Sequence, residues 1–468
     1  WKESTTNLLK AYDFSDEEVA DLLEKRLELD RRIAAVVLSN EESSEYAKLY
    51  HPYAYEDFKK FAPALPLDNF FQAVLGQIPD KVIVDEERFW QAADQFYSEE
   101  AWPLLKATLI LGVVNLSTSY LTDEIRVLSG AYGRALSGVP EAQDKVKAAY
   151  HLAQGPFKQA LGLWYAHEKF SPEAKADVEK KVATMIDVYK ERLAKNDWLT
   201  PETRDKAIVK LNVIKPYIGY PEELPERYKD KVVDETASLF ENALAFARVE
   251  IKHSWSKWNQ PVDYKEWGMP AHMVNAYYNP QKNLIVFPAA ILQAPFYDLH
   301  QSSSANYGGI GAVIAHEISH AFDTNGASFD ENGSLKDWWT ESDYAAFKEK
   351  TQKVIDQFDG QESYGARING KLTVSENVAD LGGIAAALEA AKREPDFSAE
   401  EFFHNFARIW RMKGRPELMK LMASVDVHAP AKLRVNVQVP NFDDFFTTYD
   451  VKEGDGMWRS PEDRVIIW

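Results

Sequence analysis

The sequence predicts a mainly α-helical chain with one small β-sheet, divided into two domains. Three observations lead there. The chain has 468 residues, more than one core usually organises. Amphipathic helical stripes recur through its first half, while short extended runs gather around residues 274–288. A small-residue, apolar segment then runs into His316-Glu317-Ile318-Ser319-His320, a buried helix with two histidines on one face.

The elements follow in order. Ser15 and Glu18 form a capping box before an amphipathic run through Leu22, Leu29, Ile33, Val36 and Val37. Ser171-Pro172 opens another helix, whose stripe is Val178, Val182, Met185, Ile186, Tyr189 and Leu193. Thr200-Pro201 caps the next. A polar stretch from Glu222 to Asp234 marks a change of character, so the boundary is expected between domains 1–236 and 237–468. Val274 to Tyr278 and Leu284 to Pro288 read as two strands around the turn Asn279-Pro280-Gln281-Lys282-Asn283. Ala305 to Ala315 is small and apolar enough to form a helix buried on nearly every side.

Composition narrows the function. Hydrophobic residues make up 45% and aromatics 13%, which suits a globular chain. No apolar run is long enough to span a bilayer as a helix. A formal charge of −19 argues against nucleic acid as a partner, since that binding leans on Lys and Arg. There is no cysteine, which removes disulfides, thiol catalysis and cysteine metal ligands.

The histidine motif carries the chemistry. Residues i and i+4 of a helix share a face, so His316 and His320 can reach one metal ion. Glu317 then projects beside that metal, where it can act as a general base on water. Such a site needs a third protein ligand and an open position. Glu376 and Asp380, again four apart, offer two carboxylates within an otherwise apolar and small-residue segment. One would bind the metal, and the other would fix a ligand histidine through its free N–H. A strand edge near the motif could hold a peptide by backbone hydrogen bonds, with Asn275 and Ala276 as candidates; plain sheet scaffold is the competing reading.

These runs together resemble the neprilysin-like (M13) zinc metallopeptidases, most closely their bacterial PepO-type oligopeptidases. The matching segments include Val274-Asn275-Ala276-Tyr277-Tyr278, Asn306-Tyr307-Gly308-Gly309-Ile310-Gly311, the histidine motif and Glu376-Asn377-Val378-Ala379-Asp380. Asp426-Val427-His428-Ala429-Pro430, Arg434-Val435 and the segment 202–221 extend the likeness over most of the chain. The resemblance implies a two-domain gluzincin, with a thermolysin-like zinc-helix core and a helical lid domain (1–236) enclosing the active site. It also implies one Zn2+ per chain on His316, His320 and Glu376, with Glu317 activating water and passing its proton to the leaving amine. Asp380 would orient His316, and Asp323 is a second supporting carboxylate. His428 would stabilise the oxyanion, and Arg434 would hold a substrate carbonyl. Asn275 and Ala276 would anchor the peptide main chain. Ile291, Phe296, Val313 and Trp410 would line a hydrophobic pocket for the residue after the cut.

The expected activity is therefore endopeptidase cleavage of oligopeptides on the amino side of hydrophobic residues. Animal members of the family carry disulfides, so the lack of cysteine points to a bacterial enzyme. A cytoplasmic setting fits best, with a secreted or cell-surface one as the alternative. Family members begin with a long segment that returns to complete the catalytic domain, whereas this chain starts inside the helical region. Part of that domain is thus expected to be missing here, which makes a separate N-terminal piece a candidate partner. The competing function is a non-catalytic, zinc-containing adhesion or partner-binding fragment, for which a base at Glu317 would have no use.

Overall fold

The computed structural model describes residues 1–468, and the chain falls into two compact units. The first comprises Trp1–Phe157 and Pro225–Val262; the second comprises Lys158–Leu224 and Asp263–Trp468.

In the first unit, helix α1 (Asp16–Ala34) starts at the expected capping box, with Ser15 and Glu18 bonding each other's backbone N–H. Its Val19, Leu22 and Leu23 pack against Ala107, Leu111 and Val114 of α2 (Trp102–Ser117). The helix ends at Ala34, short of the expected Val36 and Val37. Both valine N–H groups fold back onto the Ile33 carbonyl, at 3.0 Å each. Two consecutive β-branched residues favour that release from helical geometry.

The second unit is built on α3 (Pro172–Lys195) and α4 (Pro201–Asn212), capped by the Ser171 and Thr200 hydroxyls. Val178, Val182, Met185, Tyr189 and Leu193 form the buried stripe of α3, with Ile186 at its margin. A three-stranded sheet follows, in the order β1 (Lys215–Gly219), β3 (Leu284–Pro288), β2 (Tyr277–Asn279). The central β3 runs parallel to β1 and antiparallel to β2, and is buried along its whole length. Pairing in β2 begins only at Tyr277, three residues later than the sequence suggested. Val274 and Asn275 remain exposed ahead of the ladder. The turn between β2 and β3 closes at Asn283, whose φ of 45° suits asparagine.

These units do not follow a single cut at 236/237. Residues 158–224 belong with the histidine-motif half, and residues 225–262 return to the first unit. The cause lies in α3 and α4, whose Tyr189 and Lys210 are buried against the motif helix and the segment after it. Sequence composition shifts near Glu222, but contacts set the division.

Candidate metal centre

The motif helix α5 (Ala312–Ser319) continues a short helix over Ser303–Asn306 and a π-helical turn over Tyr307–Gly311. Every residue from Asn306 to Ser319 is buried, as the small apolar pattern predicted. His320 follows as its C-cap with φ −58° and ψ −19°, so the two histidines keep helical spacing. From α3, the Tyr189 hydroxyl donates to the Ala315 carbonyl at 3.0 Å and contacts the Ser319 hydroxyl. Burial raises the pKa of that phenol, so it remains a donor.

Helix α6 (Val374–Ala391) lies directly against α5, and two glycines permit the approach. A Cβ on Gly383 would stand 2.9 Å from the backbone nitrogen of His316 and 3.0 Å from the Ala312 carbonyl. One on Gly382 would meet the Ser319 hydroxyl at 2.5 Å. Any side chain at either position would push the acids of α6 away from the histidines.

That contact brings three donors together. Nε2 of His316 lies 3.0 Å from Nε2 of His320, and Oε2 of Glu376 stands 3.3 Å and 3.5 Å from them. Each histidine is held from behind through Nδ1. Oδ1 of Asp380 approaches His316 at 2.8 Å, and Oδ2 of Asp323 approaches His320 at 2.6 Å. In the neutral ring a carboxylate beside Nδ1 draws the remaining proton to that nitrogen, which leaves each Nε2 with a lone pair facing the cluster. Oε2 of Glu376 is buried and makes no hydrogen bond of ordinary geometry. Two nitrogen lone pairs and a carboxylate oxygen, mutually within 4.8 Å, fit a cation, and the donor set is one that zinc takes.

Protonation reflects the same crowding. Burial works against a charged His316, as does neighbouring His320, but the Asp380 and Glu376 carboxylates outweigh both and raise its pKa. Burial likewise opposes charge on His320, yet Glu376 and Asp323 hold it well above the usual range. Glu376 is driven well below the carboxylate range by His320, His316 and His428, despite its burial. Glu317 goes the other way. It is 5% exposed, and burial pushes its carboxyl up against the pull of His316 and His320. A buried carboxylate with a raised pKa beside a metal set is suited to accept a proton.

Arg434, in the short helix α7 (Ala431–Asn436), forks onto Asp380 through Nε at 2.7 Å and Nη2 at 2.6 Å. Its guanidinium also lies 3.8 Å from the centroid of the Trp410 ring. Burial opposes the charge on Asp380, but Arg434 and His316 bring its pKa down to about 2. His428 is half-exposed. Its Nε2 stands 3.2 Å from Oε2 of Glu376, and its Nδ1 lies 2.9 Å from Asp426. Partial burial opposes the imidazolium, yet Asp426 and Glu376 raise its pKa to about 9.

The remaining expected residues are less concentrated. Asn275 is exposed just before β2, and its side-chain oxygen accepts the Ala276 N–H at 3.0 Å. Ala276 is buried. Ile291 and Val313 belong to the main core of the unit, and Phe296 and Trp410 pack at its margin. Four supporting groups had no site role from sequence. They are Ser375, whose hydroxyl donates to Asp323 at 2.6 Å, with Tyr189, Asp426 and Lys210. Asp426 could have been found, since an acid two residues before a candidate histidine can reach its Nδ1.

The sequence model of peptidase family M13 matches residues 275–465, and a second model of that family matches residues 1–221. The chain belongs to peptidase family M13. A Lactococcus lactis neutral endopeptidase is 47% identical over 468 residues, covering all of this chain and 74% of that protein. A Streptococcus gordonii protein, named as a zinc metalloproteinase of the scaA 5' region, is 75% identical over 402 residues. That match covers 86% of this chain and 71% of the other. Among solved structures, PepO from Lactobacillus rhamnosis superposes with a TM-score of 0.97 at 36% identity, covering 100% of this chain and 74% of that one. This M13 chain is a zinc metalloendopeptidase, and its fold is the mainly helical one that the sequence predicted, with three small sheets where one was expected. No helix is long and apolar enough to cross a membrane.

Proposed function

We propose that this M13 endopeptidase cuts oligopeptides on the amino side of hydrophobic residues, with one zinc ion held by His316, His320 and Glu376. The observation that carries the reading is the convergence of two Nε2 atoms and one carboxylate oxygen beside the buried Glu317. Zinc in such a set supplies Lewis acidity and lowers the pKa of water toward about 7.

The chain's own residues do the rest. Glu317 accepts the proton of the attacking water and returns it to the nitrogen of the leaving amine. Its raised pKa supports both halves, because a base nearer neutrality also works as an acid. His428, held cationic by Asp426, donates from Nε2 to the oxygen on which negative charge develops. Asp380 and Asp323 keep the two ligand imidazoles in one tautomer.

Substrate binding uses the sheet edge and the basic group nearby. The outer edge of β2 can take an extended peptide as a further strand, with Asn275 and Ala276 meeting its main chain. Arg434 engages Asp380 through Nε and Nη2, so Nη1 is the atom to meet a substrate carbonyl. Ile291, Phe296, Val313 and Trp410 would shape the apolar pocket, whose wall is shared with the core. For location we propose the bacterial cytoplasm, a reading supported by the absence of cysteine.

Digestion of a mixed oligopeptide library, read by mass spectrometry, tests the specificity. Cuts should fall before Leu, Ile, Phe or Val far more often than before charged residues. Cuts spread evenly over residue types would remove the pocket assignment.

A further inference from the structure

Lys210 lies near the end of α4 and is only 1% exposed. Its Nζ donates to three carbonyls: Ala321 at 2.8 Å, Gly326 at 2.8 Å and Phe329 at 2.6 Å. An ammonium has three N–H donors, and all three are engaged here. The rings of Tyr278, Phe322 and Trp338 surround it, with centroids 5.9, 5.8 and 5.7 Å away. Burial draws its pKa down to about 7, against Asp323, Asp330 and Glu331. Only the charged form has a hydrogen for each of the three carbonyls.

Those carbonyls all belong to the segment that leaves the motif helix. It turns back tightly, and a Cβ on Gly326 would stand 1.7 Å from the His320 carbonyl. Within the turn, Oδ1 of Asp323 accepts the Asn325 and Gly326 N–H groups at 2.8 and 2.6 Å. Its other oxygen is the one that holds Nδ1 of His320. The lysine therefore clasps the outside of the turn whose inside presents Asp323.

We propose that Lys210 is a positioning residue of the metal centre, its ammonium gathering the 321–329 turn so that Asp323 stays against His320. The inference rests on the reading of His320 as a metal ligand. Arg434 does the corresponding work for His316 by bonding Asp380 directly. Each ligand histidine is thus backed by a carboxylate, and each carboxylate by a cation. An apolar side chain of similar length would fill the same space but take this donor from all three buried carbonyls, leaving that of Gly326 only the Phe329 N–H at 3.1 Å. The turn would then relax, and the Asp323 carboxylate would move with it.

A double-mutant cycle between Lys210→Met and Asp323→Asn tests this, with zinc affinity measured by competition against a chelator. Circular dichroism verifies folding, and the cobalt(II) absorption spectrum reports the ligand geometry. Each single variant should bind zinc about 10–100-fold more weakly, the usual effect of losing a group that supports a ligand. The double variant should bind no more weakly than the poorer single, because both act through one contact. The cobalt spectrum of Lys210→Met should shift toward that of Asp323→Asn. Additive losses, or a folded Lys210→Met with wild-type affinity and spectrum, would overturn the proposal. If Lys210→Met does not fold, Lys210→Gln keeps two donors without the charge and enters the same cycle under the same criteria. Wild-type protein that binds no zinc in that titration would instead overturn the ligand assignment itself, and the inference with it.

Discussion

Glu317→Gln is expected to lose peptide hydrolysis by about 10²–10⁴-fold in kcat while binding zinc as the wild type does. The substitution keeps size and shape, so the packing of α5 should survive. It removes the only carboxylate in the motif that ligates nothing and lies buried with its pKa pushed up. KM should change little, because the base acts on water and the leaving amine, with no part in holding the peptide. Steady-state kinetics with metal analysis of the same preparation tests both halves. Retained hydrolysis would remove Glu317 from the base role, and lost zinc would make it a structural part of the site.

The second large effect concerns Asp380. Asp380→Ala leaves the buried Arg434 guanidinium without its carboxylate and His316 without the acceptor on Nδ1. Breaking a buried ion pair by removing one partner typically costs about 3–5 kcal/mol, and losing the acceptor typically costs 10–100-fold in metal affinity. Denaturant unfolding and chelator competition at neutral pH should therefore both move. The comparison depends on pH in a definite direction. Folded Asp380 titrates near 2, below the unfolded value of about 3.9, so its contribution is fully present above the unfolded pKa. It is lost as pH falls toward 2, and the stability gap between wild type and variant should narrow there. A gap that persists at pH 2 would mean that shape, rather than charge, holds this corner of the site.

Much of this site could be read from the chain because its spacing is local. His316 and His320, like Glu376 and Asp380, are each one helical turn apart, so periodicity alone placed each pair on one face. The helix starts at Ser15, Ser171 and Thr200 were legible for the same reason, since a capping hydroxyl acts within three residues. What stayed hidden acts across long separations. Tyr189 reads as one more apolar position of a stripe, yet its hydroxyl reaches a carbonyl 126 residues away. Lys210 falls in the segment 202–221 with no role visible in the sequence, and only the packing of α4 under the 321–329 turn buries it. The domain boundary failed similarly. Composition changes after Pro221, but α3 and α4 belong with the helix that their side chains hold. Arg434 was expected to face substrate, and the structure adds its fork onto Asp380, a partner 54 residues earlier.

The central claim is that His316, His320 and Glu376 hold one zinc ion on which peptide cleavage depends. Titrating zinc back into chelator-stripped protein, while following bound metal and peptide cleavage together, tests it most directly. The account predicts that both saturate at one zinc per chain, and that Glu376→Ala loses both. Cleavage by metal-free protein, or wild-type zinc binding in Glu376→Ala, would contradict it.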